Sequence, residues 1–379
     1  MCTGPMKKVF HWGPLTALAL IKIITLMTIH CIRQLMPPQE SFLGAINFLL
    51  FSSLSGSTLY HFIYAIYEGP GFLPLNWWPK DESDCEYLQF CSICQGYKAP
   101  RSHHCRSCGR CVMKMDHHCP WINNCVGHLN HGYFTAFLAS AVGGSLLSTI
   151  ILISWIMQIF SPRTMMFPPP SLLILFLAIF TIGLSIGVVI AVGMLLYFQI
   201  IAILRNRTGI EDWIFTKAQY RRYKTNEIFI HPYDIGRMGN IKQVISLHCI
   251  PSGDGIHWPV IDGCDQYTLT REQLAQKMEK RRHARKFRII APASGSWLPI
   301  SHGFKVFCSP PFTNDSRIKL KIGDIVNVTR RNKNWLFGER EQEESKDNKL
   351  NRVRGWFPRP CAIEVIENET VKNPHFKVD

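Results

Sequence analysis

Four stretches of this chain, Pro14 to His30, Phe42 to Ile66, Tyr133 to Phe160 and Leu172 to Leu204, are long and nearly free of charge. At about 1.5 Å of rise per residue, some 17 to 25 apolar residues carry a helix across ~30 Å of hydrocarbon. Lipid offers no partners to backbone N–H and C=O groups, so such runs must be helical to cross it. A soluble core rarely needs four of them, and the chain is expected to be a multi-pass α-helical membrane protein with four transmembrane helices. The first run has the look of a signal peptide, with Lys7 and Lys8 before it. It lacks a small-x-small cleavage pattern and contains Lys22, so it reads as an uncleaved span whose lysine snorkels.

Basic residues set the expected orientation. Lys7 and Lys8 precede span one; Lys80, Lys98, Arg101, Arg106, Arg110 and Lys114 lie between spans two and three; Arg205, Arg207, Arg221 and Arg222 follow span four. The two remaining loops carry little beyond Arg33 and Arg163. The positive-inside rule places both termini and the central loop in the cytosol. A net charge of +15 then belongs mainly to surfaces facing anionic headgroups, and no nucleic-acid partner is expected.

Eight of the fourteen cysteines fall between Cys85 and Cys125, in the loop assigned to the reducing side. Clustered thiols there point to metal or catalysis rather than disulfides. The segment "CSICQGYKAPRSHHCRSCGRCVMKMDHHCPWINNC" contains two knuckles, Cys91-x-x-Cys94 and Cys105-x-x-Cys108, with His104, Cys111, His118 and Cys125 at short spacings. Two structural zinc sites need eight ligands, and these residues supply eight. Cys119 is left over. Beside it stand His117, a base, and Asp116, a carboxylate able to orient that base, the general arrangement for thiol catalysis. Spacing leaves two alternatives open: Cys119 replaces another cysteine as ligand, or His103, His117 or His128 binds metal. The rival function is a membrane-anchored zinc-binding adaptor, RING-like, with no chemistry of its own.

Cys91 to Cys125 resembles the Asp-His-His-Cys (DHHC) cysteine-rich domain of the protein S-acyltransferases, or palmitoyltransferases. The family pattern C-x2-C-x9-H-C-x2-C-x2-C-x4-D-H-H-C-x5-C is matched without a gap and continues into "PWINNCVGHLNHGYF". The resemblance implies one zinc held by Cys91, Cys94, His104 and Cys111 and a second by Cys105, Cys108, His118 and Cys125. It implies Cys119 as the acylated nucleophile, His117 as its general base and Asp116 as the residue orienting His117. The acyl donor would be palmitoyl-CoA, the acceptors cysteines of membrane-proximal cytosolic proteins, and the course a two-step thioester exchange. After span four, "TGIE" (Thr208 to Glu211) resembles the family's Thr-Thr-x-Glu motif, with Gly209 in place of the second threonine, so any contact of that hydroxyl is expected to be absent. Tyr233 and Asn240 match the family's aromatic-and-asparagine segment, with His231 replacing the usual asparagine.

Long-chain acyl-CoA explains the membrane: each buried methylene is worth ~0.8 kcal/mol, so the tail prefers the bilayer while the charged head stays in water. "SAVGGS", Trp155, Phe176 and Phe180 in spans three and four are candidate walls of an acyl cavity, against plain helix packing. Lys98, Arg101, Arg106, Arg110 and Lys114 are candidates to offset CoA phosphates, against solvated surface charge. Span four, at about 50 Å as a helix, is expected to tilt or extend into the cytosol.

The basic run "REQLAQKMEKRRHARKFRI" is expected to form a surface helix or a solvated linker helix. Beyond it, "RIKLKIGDIVNVTRR", "NWLFGERE" and "RGWFPRPCAIEVIE" alternate as strands. Leu320, Gly323, Trp335, Gly355 and Pro358 fall in an order resembling an SH3 domain, although "FKVFC" replaces its usual aromatic opening, which puts recognition of PxxP ligands in question. The resemblance implies a protein partner for this domain. Cys308 and Cys361 are expected in its core, and "EREQEESKDNKLNRVR" in a solvated loop. The expected order is a tail and spans one and two (1–66), the zinc domain (67–131), spans three and four (132–204), a cytosolic segment (205–293), an all-β SH3-like domain (294–368) and a tail (369–379). SH3-bearing members imply the endoplasmic reticulum membrane, with the Golgi as alternative.

Overall fold

Each apolar run becomes one helix. After the one-turn α1 (Pro5–Val9) come α2 (Trp12–Leu35), α3 (Phe42–Tyr67), α4 (His131–Ile159) and α5 (Leu172–Leu204), all long and apolar enough to cross a membrane. These are features of a computed structural model that describes residues 5–161, 169–223, 225–297, 299–313, 315–341 and 353–365. The starts of α3 and α5 are capped as exposed N–H groups require: Ser41 accepts from the Gly44 N–H at 3.2 Å and Ser171 from the Ile174 N–H at 3.4 Å. Hydroxyls join the four helices. Thr25 meets Ser55 at 2.6 Å, Thr28 meets Ser148 at 2.7 Å, and Ser148 meets Ser185 at 3.2 Å. Leu172, Phe176, Phe180 and Met194 point outward and are exposed, as side chains solvated by lipid should be.

Two apolar clusters fill the bundle. One collects Cys31, Ile32, Phe51, Ile151, Leu152, Trp155 and Ala178. The other joins Phe62 and Ile66 of α3 and Phe134, Phe137 and Leu138 of α4 to Cys119, Ile122 and Val126. The bundle therefore shares a core with the central loop, and that packing seats the loop on the helices.

The central loop folds as three short antiparallel hairpins: β1 (Phe90–Cys91) with β2 (Gly96–Tyr97), β3 (His103–Cys105) with β4 (Arg110–Val112), and β5 (His117–Cys119) with β6 (Asn124–Val126). Strands of two or three residues have no independent stability in water. After α5 come α6 (Gly209–Arg222), α7 (Arg237–Lys242) and α8 (Thr268–Arg282).

The chain divides into two units, Met1–Gln273 and Leu274–Asp379. The second holds β7 (Arg285–Ile289), β8 (Ala293–Ser294), α9 (Phe304–Phe307), β9 (Lys319–Leu320), β10 (Ile325–Asn332), β11 (Trp335–Arg340), β12 (Arg354–Pro358) and β13 (Ala362–Glu364). Five strands form an antiparallel sheet in the order β12-β11-β10-β7-β13 over Phe287, Ile289, Leu320, Val326, Val328, Leu336 and Phe357.

Three expectations change here. The basic run does not stay helical: α8 ends at Arg282, and Arg285–Ile289 enters the sheet, so the β unit starts before residue 294. Phe287 and Ile289 alternate inward at period two and outweigh the helical pattern read before them. Of the two cysteines expected in the core, Cys361 is fully buried but Cys308 is exposed. Most of the charged insert, and the tail from residue 366, lie outside the described residues.

Candidate active site

In β5 a strand's two-residue period separates neighbouring side chains. His118 turns one way, opposite Cys125 in the register; His117 and Cys119 turn the other, opposite Val126 and Asn124. His104 likewise lies opposite Cys111 in the β3–β4 hairpin. Cys91, Cys94, His104 and Cys111 converge in one set and Cys105, Cys108, His118 and Cys125 in another, with the ligating atoms of each set within 4.8 Å of one another. Zn–S near 2.3 Å and Zn–N near 2.0 Å make the edges of a tetrahedron roughly 3.5 to 3.8 Å. His104 Nδ1 lies 3.5, 3.4 and 3.8 Å from the sulfurs of Cys91, Cys94 and Cys111. His118 Nδ1 lies 3.7, 3.5 and 3.7 Å from Cys105, Cys108 and Cys125. The two clusters fit two structural zinc ions, each closed by three thiolates and one imidazole.

The two sets are offset by a constant fourteen positions: 105 − 91, 108 − 94, 118 − 104 and 125 − 111 all equal 14. Continuing the repeat puts Cys119 where Cys105 stood and Ile122 where Cys108 stood. A third knuckle is thus begun and not completed. Ile122 is fully buried in the apolar cluster, and Cys119 packs beside it at 5% exposure, outside both metal sets. His103, His117 and His128 are also outside them.

Cys119 lines a cavity of about 370 Å³. Its walls are almost wholly apolar, from Ala17 and Ile24 of α2, Phe51 of α3, Phe137 and Leu138 of α4, and Val188 and Val192 of α5. Ala141, Gly144 and Ser145 of "SAVGGS" line it. Trp155 does not, being in the other cluster, and Phe176 and Phe180 face outward. A second, more polar cavity of about 470 Å³ lies on the His117 side, with Asp116, Gln199, Arg205, Arg207 and Asp212. Phe134 and Leu195 border both.

His117 Nδ1 is 2.8 Å from Asp116 Oδ2. Burial disfavours the imidazolium, but bonds to Asp116 and Cys119 outweigh it and hold the His117 pKa up to about 9. Burial also acts against the Asp116 carboxylate; the His117 bond and charge and the Gly209 N–H bring it down to about 2. The second carboxylate oxygen, Oδ1, accepts the Gly209 N–H at 2.7 Å. Gly209 in "TGIE", which has no hydroxyl to offer, thus reaches Asp116 through its main chain.

Gly209 is held there by a buried lock. Thr208 caps α6, accepting from the Glu211 N–H at 3.3 Å, while Glu211 accepts from the Thr208 N–H at 2.9 Å. Arg101 grips Glu211 with two bonds of 2.6 and 2.8 Å and reaches Asn206 with two more of 3.1 and 2.9 Å. Its guanidinium lies over Tyr233 and Trp258. Burial opposes the Glu211 charge, and Arg101 reverses this to leave its pKa at about 2. Tyr233 donates to the Gln266 carbonyl at 2.8 Å, and Asn240 donates to the Leu204 carbonyl at 2.8 Å, tying α7 to the end of α5. His231 Nε2 bonds to the Asn206 carbonyl at 3.1 Å.

Arg101 and Lys114, read as CoA-facing or solvated charges, are neither: they are 3% and 2% exposed. Desolvation, aided by the like charge of Arg101, holds Lys114 well below an ordinary lysine. Asn206 and Gly13 have no local signal, and nothing in the sequence ties Arg101 to Glu211 or Gly209 to Asp116. A Cβ on Gly13 would lie 2.0 Å from the Pro120 carbonyl oxygen, so the start of α2 presses on the residue after Cys119.

Gly209 is the first residue of α6, and Thr208 before it is extended (φ −70°, ψ 163°), both compatible with proline at 209. Gly209→Pro keeps the helix start, removes the N–H and puts a methylene where Asp116 Oδ1 lies. In the acyl transfer that the family resemblance implies, the acylation rate is expected to fall about a hundredfold, the lower end of what base catalysis contributes. Gly209→Ala, whose Cβ stands 3.7 Å from that oxygen, should stay near wild type. Rapid-quench rates for the two variants decide the point.

These features define a class, a multi-pass membrane protein whose two-zinc cysteine-rich loop sets an unligated thiol against an apolar cavity. The family model for the DHHC palmitoyltransferase matches residues 84–216. "Palmitoyltransferase ZDHHC6" of Danio rerio is 44% identical over 382 residues, covering 95% of this chain and 93% of that one. The Mus musculus protein of the same name is 42% identical over 378 residues, covering 94% and 92%. "Probable protein S-acyltransferase 16" of Arabidopsis thaliana is 36% identical over 214 residues, 53% of this chain and 73% of that one. The chain belongs to the DHHC palmitoyltransferase family and is a protein S-acyltransferase, with long-chain acyl-CoA and protein cysteines as its substrates.

Proposed function

We propose that Cys119 carries the acyl group, with His117 as its base and Asp116 holding His117 in line. One observation supports this above the rest: the Cys119 sulfur stands outside both metal sets, on the strand face it shares with His117, lining an apolar cavity. In the first step the His117-paired thiolate attacks the acyl-CoA carbonyl. The Cys119 S–C bond forms, the CoA S–C bond breaks, and His117 returns the proton to CoA thiolate. In the second step His117 takes the proton of an acceptor cysteine, whose sulfur displaces Cys119 from the thioester. Exchange between thioesters is nearly balanced, so no nucleotide is needed. Asp116 keeps Nδ1 engaged, leaving Nε2 for the sulfurs. We assign the CoA head to the polar cavity with Arg205 and Arg207. Cys91, Cys94, His104 and Cys111, with Cys105, Cys108, His118 and Cys125, would act only by holding β5 in place.

The acyl chain would run down the apolar cavity. Gly183 lines it, on the part of α5 remote from Asp116, with open space where a Cβ would be. Gly183→Phe should therefore shorten the accepted chain. Losing room for two methylenes costs about 1.6 kcal/mol, so preference for fourteen- over eighteen-carbon acyl-CoA should rise roughly tenfold. Competition between the two donors measures it, and an unchanged ratio would remove the tail from this cavity.

Both termini and the zinc domain are read as cytosolic from the distribution of Lys and Arg. The endoplasmic reticulum is the proposed membrane, with the Golgi as alternative; co-staining of the tagged chain with compartment markers separates them. The second unit is read as SH3-like. Trp335, where such a domain places its ligand-binding indole, is 1% exposed and donates Nε1 to the Val306 carbonyl at 3.2 Å. The shelf for a proline helix is thus occupied by the chain itself, which argues against PxxP ligands.

A further inference from the structure

Arg317, in the second unit, is a half-buried arginine whose guanidinium nitrogens find no partner among the described residues. Its Nε, Nη1 and Nη2 are all shielded from solvent. A guanidinium has five donors in a rigid fork that matches a carboxylate or phosphate, and leaving such a charge buried and unpaired is among the costliest arrangements in a protein. Three described acceptors of the second unit are engaged elsewhere. Asp315 takes Arg330 at 3.1 Å, Thr313 Oγ1 takes the Trp356 indole at 2.8 Å, and the Val306 carbonyl takes the Trp335 indole. The main chain beside it is fixed, since the Ile318 N–H donates to the Trp356 carbonyl at 3.1 Å and the Trp356 N–H to the Ser316 carbonyl at 2.9 Å.

Two indoles flank the guanidinium. Trp335, fully buried, lies 5.1 Å from Cζ, and Trp297 stacks on it at 3.4 Å. Trp297 is 58% exposed, so it covers the guanidinium without being held in the core. A second guanidinium, Arg330, lies over Phe337 at 4.2 Å on the same aromatic cluster. Stacking fixes a guanidinium's plane and leaves its edge for an oxyanion, and Arg seated on aromatic rings is a recurrent setting for recognising acidic groups. The charge is opposite to what a groove for basic, proline-rich ligands would need.

We propose that Arg317, between Trp297 and Trp335, is a binding site for an acidic segment of a partner protein. A carboxylate pair from that segment would take the free fork, with Trp297 turning aside to admit it. The site shares no residue with the acyl-transfer machinery proposed above. It gives the second unit a ligand class, carboxylate-bearing peptide, in place of the proline helix that the closed shelf excludes.

The test uses the full chain in phosphatidylcholine nanodiscs, labelled with 5-fluorotryptophan at its ten tryptophans. The Trp297 and Trp335 signals are assigned through Trp297→Phe and Trp335→Phe. Acetyl-hexaglutamate is the probe, with inorganic phosphate and decaproline as parallel arms. Hexaglutamate should shift the Trp297 signal saturably. Arg317→Lys should weaken it at least fivefold, and Arg317→Met should abolish it while leaving the thermal midpoint of the unit unchanged or higher, since an unpaired buried charge is lost. No shift in the wild type, or the same shift in Arg317→Met, would overturn the site. An equal response to phosphate alone, or a response to decaproline, would overturn the acidic-peptide assignment.

Discussion

Cys119→Ser is expected to leave no acyl adduct after incubation with labelled palmitoyl-CoA, and to lower transfer to acceptor proteins by roughly 10³-fold or more, as loss of a nucleophile does. The wild-type adduct should be released by hydroxylamine, as a thioester is, and map to Cys119. The variant should also retain two zinc ions per chain, because the eight ligating atoms close two sets without this sulfur. The combination is diagnostic: a zinc adaptor would keep its function in Cys119→Ser, and a ligand role for Cys119 would show as lost metal. His117→Ala sharpens the test, since it should slow acylation with metal content intact, whereas His118→Ala, one position on, should release an ion. The two-residue period of β5 predicts that contrast, as it aims adjacent histidines at different tasks.

Removing the zinc should have the second large effect. Binding of a structural zinc is worth about 10 to 16 kcal/mol in small finger peptides, and that energy is folding energy. Here the metal sets close around hairpins with strands of two or three residues, and their interior is largely the ligands themselves, Cys91, Cys94 and Cys111 with Leu73 and Ala99. Chelation, or Cys105→Ala, should unfold the central loop, free Cys119 from its seat on Phe62 and Ile122, and abolish transfer, while the four apolar helices stay in the bilayer. Hydrogen exchange should show protection lost over residues 90–126 and kept in the spans. A loop that stays protected without metal would mean that packing on the bundle suffices to fold it.

Breaking the buried lock should act at a distance. Arg101→Met leaves Glu211 charged and unpaired at about 1% side-chain exposure, a change expected to cost about 3 to 5 kcal/mol. Because Gly209 is held by α6, activity should fall along with stability. Arg101→Met with Glu211→Gln should recover much of the stability, which thermal unfolding in detergent would show.

By itself the sequence determined what depends on short-range composition and spacing. Lipid imposes its demand on every residue of a span, so four runs of about the right length predict α2 to α5. Knuckle ligands stand three apart in the chain and must meet one ion, which makes the metal sets countable; counting leaves one thiol over, and the family resemblance implies that it is Cys119. The resemblance to the DHHC family rests on the same local pattern. What the tertiary structure decided are encounters between distant segments. Arg101 and Glu211 are 110 residues apart and Asp116 and Gly209 are 93 apart, and nothing near either marks its partner. For Trp155, Phe176 and Phe180 the sequence leaves cavity wall and plain helix packing both open, because aromatic content is visible and direction is not; only helix rotation places Gly183 and Val188 on the cavity and leaves Phe180 exposed. The strand at Arg285–Ile289 was hidden because a helical and an alternating pattern overlap there, and pairing with β10 and β13 settles which one wins.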